Sequence, residues 1–189
     1  NVLAVHPSLS ANSVSELVAL ARAQPGRLNY GASSPGSADH LAAELFKQMT
    51  GVNIVYVPYK GAPQALTALT ANEVQLYFVN AAAAMPLLRA GRIRALGVAS
   101  PQPSTLVPGV PTIASSGLPG FEASNDLGFF APARTPAAII ARLHRGVVHA
   151  LGEPRVRERL SNFEVLAGTP QDLAASVKRR MARDGKLIR

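Results

Sequence analysis

Asn29-Tyr-Gly-Ala-Ser-Ser-Pro-Gly-Ser-Ala-Asp-His-Leu-Ala-Ala-Glu44 is the end of a strand, a turn of small residues and the start of a helix. Its central residues Ser33, Ser34, Gly36 and Ser37 are small donors or permissive backbone positions. A turn of this kind presents N–H groups at the positive end of a helix, where an anion can sit. An ordinary βα turn that merely needs small residues has the same composition, so both readings stand on the loop alone.

Strand and helix signals alternate on both sides of this stretch. Val2–Val5 is a short apolar run closed by Pro7 and reads as a buried strand. Ser13 and Glu16 have capping-box spacing, and a helix follows up to Pro25-Gly26. Leu41, Leu45 and Met49 share one face of the helix that follows the turn. Asn53–Val57, Val74–Val79 and Ile93–Ala99 read as strands, with helices over 62–71 and 82–89 between them. This alternation predicts a parallel three-layer α/β sheet. Five prolines between Pro101 and Pro119 mark an extended connector. Leu127–Ala131 is strand-like, and Glu164–Leu166 is a further candidate strand. Thr135-Pro136 and Thr169-Pro170 read as helix starts, for helices over 137–151 and to about Arg183, with a short basic helix over 154–160 between them. In the first of these Ile139, Ile140, Leu143 and Val147 form an inward face. Three helices with so little sheet to cover imply a compact lobe over 8–122, with residues 1–7 and 123–189 belonging to a second, incomplete lobe.

Composition limits the function. The 189 residues are 48 % hydrophobic, enough for a core, and only 5 % aromatic. The net charge is +8, and twelve of the 19 basic residues lie between Arg134 and Arg189, away from the small-residue turn. No basic stripe carries interleaved aromatics, which disfavours nucleic acid. Without cysteine there is no thiol catalysis and no disulfide. His6, His144 and His149 lie in unrelated places and have no metal-ligand spacing. No cofactor is expected.

The turn is neither a P-loop nor a dinucleotide fingerprint, and no G-x-S-x-G elbow exists. Asp39 and Glu44 lie on different faces of one helix and make a poor acid–base pair. The expectation is therefore binding without catalysis. In open α/β sheets the ligand crevice lies beyond the carboxyl ends of the strands. Tyr59, Lys60 and Gly61 end one strand and Asn80 ends another, so they are expected at the same edge as the turn. Lys60 also reads as a solvated lysine, Asn80 as a turn residue, and His40 as a neutral, hydrogen-bonded residue of the first helical turn.

With these residues in place, the chain resembles the Bug, or TctC-type, extracytoplasmic solute receptors of tripartite tricarboxylate transporters. The resemblance is carried by Leu28–Phe46, Val57-Pro-Tyr-Lys-Gly61, Gly91-Arg-Ile-Arg-Ala-Leu96, Pro108-Gly-Val-Pro-Thr112 with Gly117-Leu-Pro-Gly120, and Ala131-Pro-Ala-Arg-Thr-Pro136. It implies a type II periplasmic binding-protein fold, here one complete three-layer lobe plus the C-terminal part of the other. It further implies a small carboxylate ligand, an organic acid or acidic amino acid, held between the lobes and delivered to membrane transporter subunits or a sensor. The candidate ligand-binding residues are then Gly31, Ala32, Ser33, Ser34, Gly36, Ser37, His40, Tyr59, Lys60, Gly61 and Asn80. Family members carry a signal peptide and a glycine-rich strand–loop–helix before the point where this sequence starts, so an N-terminal third is expected to be missing. They also usually have Asp where Asn80 stands and Trp near Asp126. The alternatives are an effector-sensing domain of a transcription regulator and a non-binding remnant.

Overall fold

The computed structural model describes residues 1–125, 127–161 and 163–187. Asp126 lies outside them. The chain divides into two compact units on either side of residues 125 and 126.

The first unit carries β1 (Val2–Val5), α1 (Val14–Ala23), β2 (Asn29–Ala32), α2 (Ala38–Thr50), β3 (Val55–Pro58), α3 (Ala62–Thr70), β4 (Leu76–Val79), α4 (Ala81–Arg89) and β5 (Arg94–Val98). The strands form one sheet in the order β3-β2-β4-β1-β5. β2 runs parallel to β3 and β4, whereas β1 runs antiparallel to both β4 and β5. The sheet is therefore mixed, not parallel. Residues 1–7 begin in this unit and not in the second lobe, since Val2–Val5 lies between two strands. All four residues of β1 are fully buried. A strand buried on both faces is an unbroken apolar run in either direction, so its sequence does not reveal its sense.

Local chemistry sets the helix starts. The Ser13 side chain accepts from Glu16 N–H at 3.1 Å, and Glu16 Oε2 accepts from Asn12 N–H at 2.8 Å. Gly51 ends α2 in a left-handed conformation, φ 68°, that a Cβ would oppose. The core has two faces. Under α2 the rings of Phe46, Phe78 and Phe121 lie within 6.4 Å of one another, centroid to centroid. On the opposite face Val2, Tyr77 and Val79 pack with Ala65 and Leu69 of α3 and Ala84 of α4.

The second unit carries α5 (Ala137–Gly152), α6 (Pro154–Arg159) and α7 (Pro170–Leu187). Thr169 and Asp172 cap α7 reciprocally: Asp172 Oδ2 accepts from Thr169 N–H at 2.9 Å, and Thr169 Oγ1 accepts from Asp172 N–H at 3.2 Å. The strands expected at 127–131 and 164–166 do not form, because no ladder partner lies beside either segment among the described residues. Nor does the face of α5 become a core: Ile139 and Leu143 are exposed, and Ile140 and Val147 are only half-buried. None of the described residues of this unit is buried.

Candidate functional site

Because β4 and β5 both oppose β1, they run parallel to each other and to β2 and β3. Four strands therefore end at one edge of the sheet. The 33–37 turn leaves β2 there, Tyr59–Gly61 leaves β3, Asn80 leaves β4 and Ser100 follows β5. β1 begins at the same edge, with Val2 opposite Val79 and Val98. The topology thus collects segments that are far apart in sequence.

Gly31 and Ala32 are buried in β2 and shape the edge from beneath. A Cβ on Gly31 would meet Val74 Cγ2 at 3.3 Å and Tyr59 Cε2 at 3.4 Å, so the absent side chain is what lets the Tyr59 ring lie across the strand. That ring packs on the core under α3. Burial, and then the charge of Glu73, pushes the Tyr59 phenol up.

The turn itself is extensively hydrogen-bonded. Ser33 N–H donates to Asp39 Oδ2 at 2.8 Å and Ser33 Oγ donates to Asp39 Oδ1 at 2.9 Å. Ser34 N–H donates to Ser37 Oγ at 3.3 Å, Gly36 N–H to His40 Nδ1 at 3.2 Å and Ser37 N–H to Ser34 O at 3.2 Å. The Ser37 hydroxyl donates to Ser34 O at 2.5 Å. Pro35 has no N–H. Every amide from Ser33 to Ser37 that exists is therefore engaged within the turn. Among the described residues, the N–H groups of Ala38, Asp39 and His40 have no acceptor, which leaves three donors at the positive end of α2.

Asp39 is the residue that sequence reasoning passed over. It is only 7 % exposed. Burial opposes its charge, but the neighbouring Ser37 and Tyr77 hydroxyls and the donated amide and hydroxyl of Ser33 outweigh that and hold its carboxyl below the usual range. Burial and the Asp39 charge push the Tyr77 phenol up in turn. The signal was present in the sequence as a serine six residues before an aspartate in the first turn of a helix. An acidic residue there is normally explained by the helix dipole alone, so the spacing carried no weight.

His40 accepts from Gly36 N–H through Nδ1, which places the proton of the neutral ring on Nε2. Its ring lies 4.5 Å from that of Tyr56 on β3, and Tyr56 stacks on Tyr30 at 5.3 Å. Tyr30 Oη donates to Glu44, which also pairs with Lys47 at 2.7 Å. Among the described residues the buried Tyr56 hydroxyl has no hydrogen-bond partner.

Lys60 is exposed, and among the described residues no carboxylate reaches its ammonium within salt-bridge distance. Its own N–H donates to Gln64 Oε1 at 3.0 Å. Gly61 precedes α3 as its N-cap. Asn80 caps α4, its Oδ1 accepting from Ala82 N–H at 2.9 Å, and its exposed Nδ2 is left over as a donor. The edge therefore offers three helix-start amides, one ammonium and one amide nitrogen. That set suits an anion. Among the described residues no serine–histidine pair forms here: the Ser33 hydroxyl donates to Asp39, and His40 Nδ1 accepts from the Gly36 amide.

A family description, "Tripartite tricarboxylate transporter family receptor" (TctC), matches residues 1–189. A UPF0065 protein of Bordetella pertussis is 34 % identical over 189 residues, which cover 99 % of this chain and 58 % of that protein. The structure of R. palustris Rpa4515 with adipate superposes with a TM-score of 0.84 at 40 % identity, covering 99 % of this chain and 63 % of that one. MatC from Rhodopseudomonas palustris with bound malate gives 0.80 at 28 % identity, covering 100 % of this chain and 66 % of that one. The chain thus spans about three fifths of the length of these relatives.

Proposed function

Since the chain belongs to the tripartite tricarboxylate transporter receptor family, we propose that it is a periplasmic solute receptor for a small carboxylate, an organic acid or an acidic amino acid, which it delivers to the membrane subunits of a transporter or to a sensor. The observation that carries the reading is the convergence at one sheet edge of the unclaimed amides of Ala38, Asp39 and His40 with Lys60 and Asn80. A carboxylate leaves water only where several charge-assisted hydrogen bonds replace its hydration, and this edge has five donor groups to offer. The adipate and malate found in Rpa4515 and MatC support a carboxylate over a neutral solute. The mechanism is capture, with no bond made or broken.

Titration calorimetry with adipate, malate and glutamate, set against adipamide, tests the proposal. A dicarboxylate is expected to bind and the neutral diamide to fail, with Lys60→Ala weakening the acid by about tenfold and making it less salt-sensitive. Equal binding of acid and diamide, or no binding by any acid, overturns it.

A further inference from the structure

The small-residue turn has the donors of an anion cradle, yet its two best-placed donors already face an anion. The Ser33 amide and hydroxyl each reach a different oxygen of the Asp39 carboxylate, at 2.8 and 2.9 Å. This is the bidentate arrangement that a bound carboxylate would adopt. The carboxylate is buried and comes from the next helix of the same chain. We infer that the cradle of the 33–37 turn is filled by the chain's own carboxylate, Asp39, so that an incoming acid does not use these donors and Asp39 is a positioning residue for the edge.

Two consequences follow from the geometry. First, the turn is held from both ends: Asp39 takes Ser33 at its start, and His40 takes Gly36 near its finish. Adjacent residues of one helical turn thus clamp the loop whose end starts that helix. Second, the orientation of the free amides of Ala38–His40 depends on this clamp, because Ser37, the residue before α2, makes no side-chain cap of its own. Losing the Asp39 carboxylate frees the Ser33 donors and releases the entry into α2. It also removes a negative charge near the position proposed for the ligand. A loss of affinity on removing that repulsion would therefore report lost positioning and not lost attraction. This part of the inference rests on the carboxylate-receptor reading; the filling of the cradle does not.

The test is chemical rescue. Amide hydrogen exchange at Ser33, read by NMR, is expected to quicken at least tenfold in Asp39→Ala, and added formate is expected to restore protection where equimolar chloride does not. Unchanged exchange at Ser33 overturns the inference. So does loss of protection without rescue by formate, since the loop would then need only side-chain bulk. If Asp39→Ala loses protection throughout β1–β5, the similarly sized Asp39→Leu, which has no acceptor for either Ser33 donor, decides instead: faster exchange confined to Ser33 and Ser34 supports the cradle and wild-type exchange overturns it. Calorimetry with adipate then separates the two readings. A wild-type protein that binds no acid sinks the proposed function but leaves the exchange result standing. Adipate affinity unchanged in Asp39→Ala or Asp39→Leu, with Ser33 deprotected, overturns the positioning role.

Discussion

Phe78 and Phe129 are the same residue type in two units that treat it oppositely. In residues 1–125 the Phe78 ring is 1 % exposed, between Phe46 and Phe121. In the unit that follows, Phe129 and Phe130 are 81 % and 76 % exposed. The helices do not explain the difference. α5 has an apolar stripe as regular as that of α2. What differs is the surface offered to the stripe: the first unit has five strands, and the second has none among its described residues. An amphipathic helix supplies half of a core, and a sheet or a second face must supply the other half.

Truncation at the two positions breaks or upholds this contrast most directly. Phe78→Ala is expected to cost about 3–5 kcal/mol, the usual range for a phenylalanine lost from a packed core. Phe129→Ala is expected to stay within about 0.5 kcal/mol, as at exposed sites. Urea unfolding followed by circular dichroism measures both. A comparable loss at Phe129 would mean that something covers it in solution.

A smaller effect probes how tightly the first unit is closed. Gly97 of β5 has no room for a methyl group: a Cβ there would stand 2.8 Å from Ile113 Cγ1 and 3.3 Å from Val14 Cγ2. Gly97→Ala is expected to cost about 1–3 kcal/mol through overpacking. Ile113→Ala in the same chain should make the pair less costly than the sum of the two, because it removes the closest atom. Strict additivity in thermal or urea melts would contradict the close approach.

The same contrast governs what could be read from residues alone. Features set by neighbours in sequence were legible: the Ser13–Glu16 cap, the start of α7 at Thr169-Pro170, and the turn before α2. Those set by distant partners were not. The sense of β1 depends on β4 and β5, and the failure of 127–131 to form a strand depends on the absence of a neighbour. At the candidate site the edge position of Tyr59, Lys60 and Asn80 followed from the strand pattern. The engagement of the turn's amides did not, because it hangs on the orientation of one buried carboxylate, Asp39. Nor did the commitment of the Tyr59 ring to the core, which depends on the missing Cβ of Gly31.

Each unit also has an aspartate in the first turn of a helix that takes two donors from one hydroxyl residue: Asp39 from Ser33, and Asp172 from Thr169. Both carboxyls are held below the usual range. For Asp39 burial opposes the shift, and the nearby Ser37 and Tyr77 hydroxyls with the two hydrogen bonds of Ser33 prevail; for Asp172 the hydrogen bonds of Thr169 lead. A carboxyl depressed on folding stabilises above its unfolded pKa of about 3.9, and that contribution disappears as pH falls through the lower folded value. Acid unfolding below about pH 4 is therefore expected to be shallower in Asp39→Asn, whose stability should already be reduced at neutral pH. Asp172→Asn should leave the acid limb nearly unchanged, because its solvent-exposed contacts are screened. Equal flattening by the two would erase the distinction between a buried and an exposed cap.

The smallest effect asks whether the second unit holds its helices without a core. Gly146 sits in the middle of α5 with nothing within 4 Å of the position of a Cβ. Gly146→Ala therefore changes helix propensity and almost nothing else, worth about 0.5–1 kcal/mol in favour of the helix. In a helix locked by tertiary packing that gain shows up only as added resistance to unfolding. In α5, which has no buried residue and whose exposed contacts include the pair of His149 with Glu153 at 3.6 Å and His144 Nε2 donating to Gly168 O at 3.1 Å, the helix–coil balance is set mainly by local propensity. The substitution should then raise the native helical signal itself, measured by far-ultraviolet circular dichroism at 25 °C, or by carbon chemical shifts over 137–152. An unchanged native signal, with only the melting point raised, would show that α5 is already fully formed and that its apolar face is covered.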